Sequence, residues 1–213
     1  MDATLIEAAR TLPTANISDC MSRILAGGTS LRPYYTGGQM VGPAYTVRTR
    51  PGDNLMVHCA LDRAEPGDVL VVDAGGDLTN AIVGEIMIAY AASRGLAGII
   101  INGAVRDSDA LLKGDFPVFA AGVTHRGPYR DGPGEIGGTV SLNGMIVSPG
   151  DLVVGDGDGV ISVPADASGD ILAAARKKHD AEEKSLSRIK AGEGLDRAWV
   201  AKALADAGVR DDG

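Results

Sequence analysis

Three observations in this sequence predict an α/β fold. Residues 69–73 (VLVVD) and 98–102 (GIIIN) are short continuous apolar runs, the pattern of strands buried on both faces. Between them lies a stretch of helical length, 82–94, that stops at Gly95. The 213-residue chain is 45% hydrophobic but only 4% aromatic, with 30 glycines, so its core is aliphatic and its turns are many. Two buried strands joined by a helix favour a parallel crossover, and the length fits a single domain.

Taken in order, residues 14–26 place Ile17, Met21, Ile24 and Leu25 on one helical face. The segment 37–54 reads as a strand closed by a Pro-Gly-Asp turn, and 54–64 as a short helix. After the 69–102 unit come a short helix from 107 and a strand in FPVFAAG, 116–122. Residues 138–164 carry a turn signal every few positions and read as β structure. PGDVLVVDAGG (66–76) and PGDLVVGDGDG (149–159) look alike, as an internal echo or as one turn-and-strand solution used twice. A long polar helix is expected over 165–191 and a last short one over 195–207. The α/β domain thus covers 1–165, and 166–213 forms a helical extension whose charged middle suits solvent or a subunit contact.

A net charge of −8 argues against a nucleic-acid surface, which needs a basic patch. It leaves room for a small anion held by one or two local cations. No apolar run approaches the roughly 18 residues of a membrane span, and residues 1–19 contain no apolar signal-like core, so a cytoplasmic protein is expected. Cys20 and Cys59 form no disulfide or metal pattern, and the three histidines (His58, His125, His179) include no pair at zinc-ligand spacing. The glycines of 73–84 lack both the P-loop ending and the dinucleotide spacing.

A parallel crossover would return the chain to one sheet edge, bringing the Gly84–Glu85 pair at the helix start near the Arg106–Asp107 pair after the second strand. That edge is where open α/β sheets bind ligands. Free amides of Ile86 and Met87 can hold a carboxylate, and Arg106 can grip a carboxylate or polarise a carbonyl. Asp107 and Glu85 offer oxygen donors to a hard cation, directly or through water, which points to Mg²⁺ or Mn²⁺. The same residues also fit plainer roles: Arg-Asp as a surface ion pair and helix cap, Glu85 as a complement to the helix dipole, and His58 as an ordinary half-buried histidine.

The motifs TANISDCM, MVGPAYTVRTRPGDN, PGDVLVVDAGG, GEIM, GIIINGAVRD and PGDLVVGDGDGVISVP together resemble the RraA-like family over about residues 12–165. That family includes class II 4-hydroxy-4-methyl-2-oxoglutarate/4-carboxy-4-hydroxy-2-oxoadipate aldolases and regulators of ribonuclease E. The resemblance implies a swivelling β/β/α domain assembled as a homotrimer or homohexamer, with sites between subunits. Its aldolases carry an acidic residue, twenty intervening residues and Arg-Asp, matched here by Glu85, Arg106 and Asp107; some members have Asp where this chain has Glu85. It implies that Asp107 holds the metal, Arg106 contacts the 2-oxo oxygen and carboxylate, Glu85 joins the metal-water network, and His58 is an active-site histidine. A glutamate from a neighbouring subunit, Glu182 or Glu183, would complete the site. The expected activity is cleavage of a small 4-hydroxy-2-oxo acid to pyruvate, with oxaloacetate decarboxylation beside it. A Schiff-base route is less suited, because five of the six lysines fall in the C-terminal helices. The rival reading is a ribonuclease E regulator without catalysis, which lacks the full acidic pattern.

Overall fold

Alternation along the central strands sets the architecture. The computed structural model describes residues 1–21 and 30–209. Its elements begin with helices α1 (Ala3–Ala9) and α2 (Thr14–Asp19), strands β1 (Arg32–Pro33) and β2 (Met40–Thr49), helix α3 (Leu55–Arg63) and strand β3 (Val69–Asp73). Then come β4 (Ala81–Val83), α4 (Glu85–Ser93), β5 (Gly98–Val105), α5 (Ser108–Leu111) and β6 (Val118–Val123). The chain continues through β7 (Gly134–Ile136), β8 (Val140–Leu142), β9 (Met145–Val147), β10 (Leu152–Asp156) and β11 (Gly159–Val163), then α6 (Ser168–Lys190) and α7 (Ala198–Asp206). The main sheet runs β1-β6-β5-β3-β2-β10-β11, with β4 added to β5 and β7 to β2, while β8 and β9 pair separately.

The sheet is mixed. β2, β3, β5 and β6 are parallel neighbours, and β10 and β11 close one end as an antiparallel pair. Side chains on a strand point alternately to opposite faces. Leu70, Val72, Ile99 and Ile101 therefore face one core with Val57 and Leu61 of α3 and Ile88 and Ala91 of α4. Val69, Val71, Ile100 and Phe119 face a second core closed by Val140, Leu142, Met145 and Val147 of the β8–β9 pair. Two covered faces explain why these strands are apolar without interruption. A third cluster packs Leu12, Ile17 and Leu172 against Val154 and Ile161.

The echo between 66–76 and 149–159 is one turn solution used twice. In each, Pro is followed by a glycine of positive φ (Gly67, 91°; Gly150, 82°), and the aspartate amide bonds back across the turn (Asp68 N to Glu65 O, Asp151 N to Ser148 O, both 3.1 Å). Each aspartate side chain then locks its own turn by accepting from the amide at the turn's start, Glu65 at 2.9 Å and Ser148 at 2.8 Å. Only a residue tolerant of positive φ suits the third turn position.

Several boundaries differ from the sequence reading. The helix expected over 82–94 begins at Glu85 because Ala81 and Val83 pair with Ala104 and Val105 of β5 as an added strand. Correspondingly β5 extends past residue 102 to Val105, with an irregularity between Ile101 and Ala104. α2 stops at Asp19, and Ile24 and Leu25 lie outside the described residues. α1, β1 and β7 are elements that the sequence pattern does not signal.

Met1–Ala175 form one compact unit and Arg176–Gly213 a second, with Ser168, Leu172 and Ala175 of α6 buried in the first. In the second unit Leu186, Ile189, Leu195 and Trp199 are exposed. Among the described residues no helix is long and apolar enough to cross a membrane. Cys20 and Cys59 are free.

Candidate active site

The β3–β5 crossover does bring residues 84–87 and 106–107 together. Arg106 continues β5, its amide donating to Val83 O at 3.0 Å. At Asp107 the backbone enters the left-handed region (φ 59°, ψ 35°), a conformation Asp tolerates better than most residues. Asp107 is the N-cap residue of α5, yet its side chain does not cap α5. Its Oδ2 instead accepts from the amide of Glu85 at 3.0 Å, the first residue of α4, and stands 3.6 Å from Arg106 Nε. The helix-cap and ion-pair roles open from the sequence are thus both filled, but the capped helix is α4. Its own N-cap residue, Gly84, offers no side chain.

Gly84 is required by crowding. A Cβ there would lie 2.4 Å from Asp107 Oδ2 and 2.8 Å from Arg106 Cγ. Its φ of −144° is open to any residue. The missing side chain therefore makes room for the Arg-Asp pair.

A cavity of about 290 Å³ opens beside this pair. His58, Gly84, Ile86, Met87 and Arg106 line it, together with Asn54 and Arg130, which the sequence reading did not single out. Asp107 and Glu85 are not on its wall; Glu85 borders a separate, apolar crevice with Ile88 and Leu111. The amides of Ile86 and Met87 have no intrahelical partner at the start of α4. Asn54 and His58 are one turn apart on or beside α3. Buried Asn54 ties the starts of α3 and α4 together, donating to Ile82 O at 3.0 Å and to Met87 Sδ at 3.3 Å. No carboxylate side chain lines the cavity, whereas two guanidiniums and an imidazole do. Such a wall attracts an anion even in an acidic protein.

Partial burial, and then the charge of Arg130, push the His58 imidazole below its ordinary value, while Asp62 pulls the other way. The lowered value favours the neutral ring, which can accept a proton.

The loop that carries Arg130 is held by the third Pro-Gly-Asp turn. Asp53 closes it as the other two do (Asp53 N to Arg50 O, 3.0 Å; Gly52 φ 74°). Its side chain, fully buried, accepts from the amides of Leu55 (2.9 Å), Asp131 (2.7 Å) and Gly132 (3.0 Å), and from the guanidinium of Arg50 (3.1 Å), the turn's own first residue. Tyr129 N donates to Gly52 O at 2.8 Å, and Asn54 N donates to Tyr129 O at 3.0 Å. Burial disfavours the Asp53 carboxylate, but the three amides and Arg50 outweigh it and hold its carboxyl below the usual value. Asp53→Ala is expected to cost ~3 kcal/mol, because buried amides lose a charged acceptor. The stabilisation is complete above the ordinary carboxyl range and fades as pH falls through the depressed value. Urea midpoints of wild type and variant should accordingly converge in acid and separate toward neutrality.

Glu182 and Glu183 lie on α6 in the second unit, with Glu182 3.0 Å from Lys178 Nζ. Among the described residues no three His, Cys, Asp or Glu side chains converge as a metal cluster. Asp107 and Glu85 are the two carboxylates at the head of α4. Their donor chemistry, oxygen only, fits a hard divalent ion that keeps several waters or takes a further ligand from elsewhere.

The domain is thus α/β with a mixed sheet, and a pocket walled by Arg106, Arg130 and His58 lies beside the head of α4. The RraA-like model, described as Aldolase/RraA, matches residues 14–162, and the chain belongs to this family. A Halalkalibacterium halodurans protein, named provisionally as a 4-hydroxy-4-methyl-2-oxoglutarate aldolase, is 40% identical over 181 residues, 84% of this chain and 86% of that one. Among solved structures, an uncharacterized protein from Pseudomonas syringae pv. tomato superposes with a TM-score of 0.81 at 25% identity, over 90% of this chain and 94% of that one. The RNA-processing inhibitor RraA from Thermus thermophilus superposes at 0.66 with 29% identity, over 71% and 92%.

Proposed function

We propose that this protein is a divalent-metal-dependent aldolase that cleaves 4-hydroxy-2-oxo acids to pyruvate and also decarboxylates oxaloacetate. Candidate substrates are 4-hydroxy-4-methyl-2-oxoglutarate and 4-carboxy-4-hydroxy-2-oxoadipate. The observation that carries the reading is the Arg106–Asp107 pair, with Arg106 on the wall of a cationic pocket and Asp107 held beside it by the Glu85 amide. The 40% identical relative's name supports it.

Asp107 would hold the ion, with Glu85 acting through water and Glu182 or Glu183 of a neighbouring subunit in a homotrimer or homohexamer. Mg²⁺ or Mn²⁺ bound there would supply a Lewis acid for the 2-oxo oxygen. Arg106 binds the 2-oxo oxygen and the adjacent carboxylate, and the Ile86 and Met87 amides receive that carboxylate at the helix start. As charge develops on the oxygen, the guanidinium stabilises it without reorganising. His58 takes the proton from the 4-hydroxyl as the C3–C4 bond breaks and its electron pair enters the enolate. The imidazolium then returns that proton to C3, so the cleavage balances with no external acid. Oxaloacetate needs the same enolate stabilisation, with CO₂ as the departing fragment.

The test is pyruvate release from each of the three compounds with Mg²⁺ or Mn²⁺ and with a chelator. Release that stops on chelation is expected. No release from any of them, combined with capture of ribonuclease E, would place the chain with the family's regulators.

A further inference from the structure

We infer that Arg130 selects substrates bearing a second carboxylate beyond the 2-oxo acid unit. The inference rests on the aldolase reading and assigns a specificity residue within it.

Arg106 and the start of α4 account for one carboxylate. The cavity wall carries a second guanidinium, Arg130, that this end of the substrate does not need. Among the described residues Arg130 has no carboxylate partner. The adjacent Asp131 is 3.5 Å from Arg50, and buried Asp53 is also taken by Arg50. An arginine held beside a pocket without an internal partner is available to an anionic ligand.

Its backbone is already in place. Asp53 receives the amides of Asp131 and Gly132, Tyr129 exchanges backbone bonds with Gly52 and Asn54, and Arg50 stacks over the Tyr129 ring at 5.9 Å. On the other side Asn80 Nδ2 donates to Gly127 O, and Ala81 N donates to Arg126 O at 2.9 Å. The loop is therefore pinned before and after the cavity-lining residues, so little ordering is lost when a ligand binds. With no acidic side chain on the wall, nothing opposes a dianion there, and a guanidinium recognises carboxylate by paired N–H donors. A monoacid would leave this cation unused.

The experiment compares two aldol substrates that differ only at the far end: 4-hydroxy-4-methyl-2-oxoglutarate, and 4-hydroxy-2-oxopentanoate, which has hydrogen in place of the distal carboxylate. Wild type is expected to prefer the diacid. Arg130→Gln should lower kcat/KM for the diacid by about 30-fold, mostly through KM, and change the monoacid by less than about threefold. Arg130→Lys, which keeps the charge without the planar fork, should recover part of the loss. Calorimetric titration with 2-oxoglutarate and with 2-oxobutyrate gives the same contrast without turnover. Equal losses on both substrates, or an unaffected diacid, would overturn the assignment of Arg130 and leave the aldolase reading standing. No pyruvate from wild type with either substrate would instead remove the aldolase reading, and the Arg130 assignment with it.

Discussion

Arg106→Ala should lower kcat/KM by about 10³-fold for the aldol substrate and for oxaloacetate alike, since both reactions pass through the same pyruvate enolate. Loss of one preorganised donor facing a developing oxyanion has an effect of that order. The fold should be spared. The side chains of Arg106 and Asp107 are each 42% exposed, and a pair so placed contributes little to stability. The backbone of Arg106 stays tied to Val83 O, and Asp107 stays tied to the Glu85 amide. A thermal midpoint close to wild type, together with the kinetic loss, would locate the defect in chemistry. Arg106→Lys should regain no more than about tenfold, because a lysine ammonium cannot bridge the 2-oxo oxygen and the carboxylate in one plane. Full activity in Arg106→Ala would exclude the mechanism outright.

Much of this site was legible because it depends on local patterns joined by one topological rule. VLVVD and GIIIN are apolar at every position since Leu70 and Val71, or Ile99 and Ile100, enter different cores. A helix between two such strands then sets residues 84–87 and 106–107 on one edge. The reading failed where a residue's partner is remote in sequence. Ala81–Val83 look helical beside GEIMIAYAAS, and only the pairing with Ala104 and Val105 makes them a strand. Asp107 has the position of a cap for its own helix, yet tertiary approach turns it toward Glu85, 22 residues earlier.

The three Pro-Gly-Asp turns make the same point. Asp68 and Asp151 accept from the first amide of their own turns, Asp151 also from Ala165 N at 3.2 Å, while Asp53, in an identical tripeptide, reaches residues 131 and 132. No local signal separates the third from the first two. The segment 124–135 is legible from sequence as a candidate reader of the substrate's far end, but nothing local singles out Arg130 within it, because its course is set by Asp53 and Asn80. Asn54 could have been noticed from its place directly after the third turn and before α3, where a polar residue commonly begins a helix.

Gly84→Ala tests whether the close approach of the two ends is what the site requires. Alanine tolerates the backbone angles at this position, so no conformational strain is introduced. The added methyl would meet Asp107 Oδ2 at 2.4 Å, Arg106 Cγ at 2.8 Å and Arg106 Nε at 3.0 Å, and the pair must retreat. Displacing a binding group by about an ångström is expected to reduce kcat/KM roughly 10²-fold. Stability should fall by only ~1 kcal/mol, the worth of a helix cap, as Asp107 leaves the Glu85 amide. Gly84→Ser separates the two effects. A serine at the N-cap can itself accept from the amide of Ile86 or Met87 and restore the helix start. Its Cβ still displaces Arg106 and Asp107, and its hydroxyl occupies the amides offered to the substrate carboxylate. Thermal stability should therefore recover in Gly84→Ser while activity stays low. If Gly84→Ala instead turns over within about threefold of wild type, the contact between Asp107 and the head of α4 is a structural cap alone, and substrate must be gripped elsewhere in the cavity.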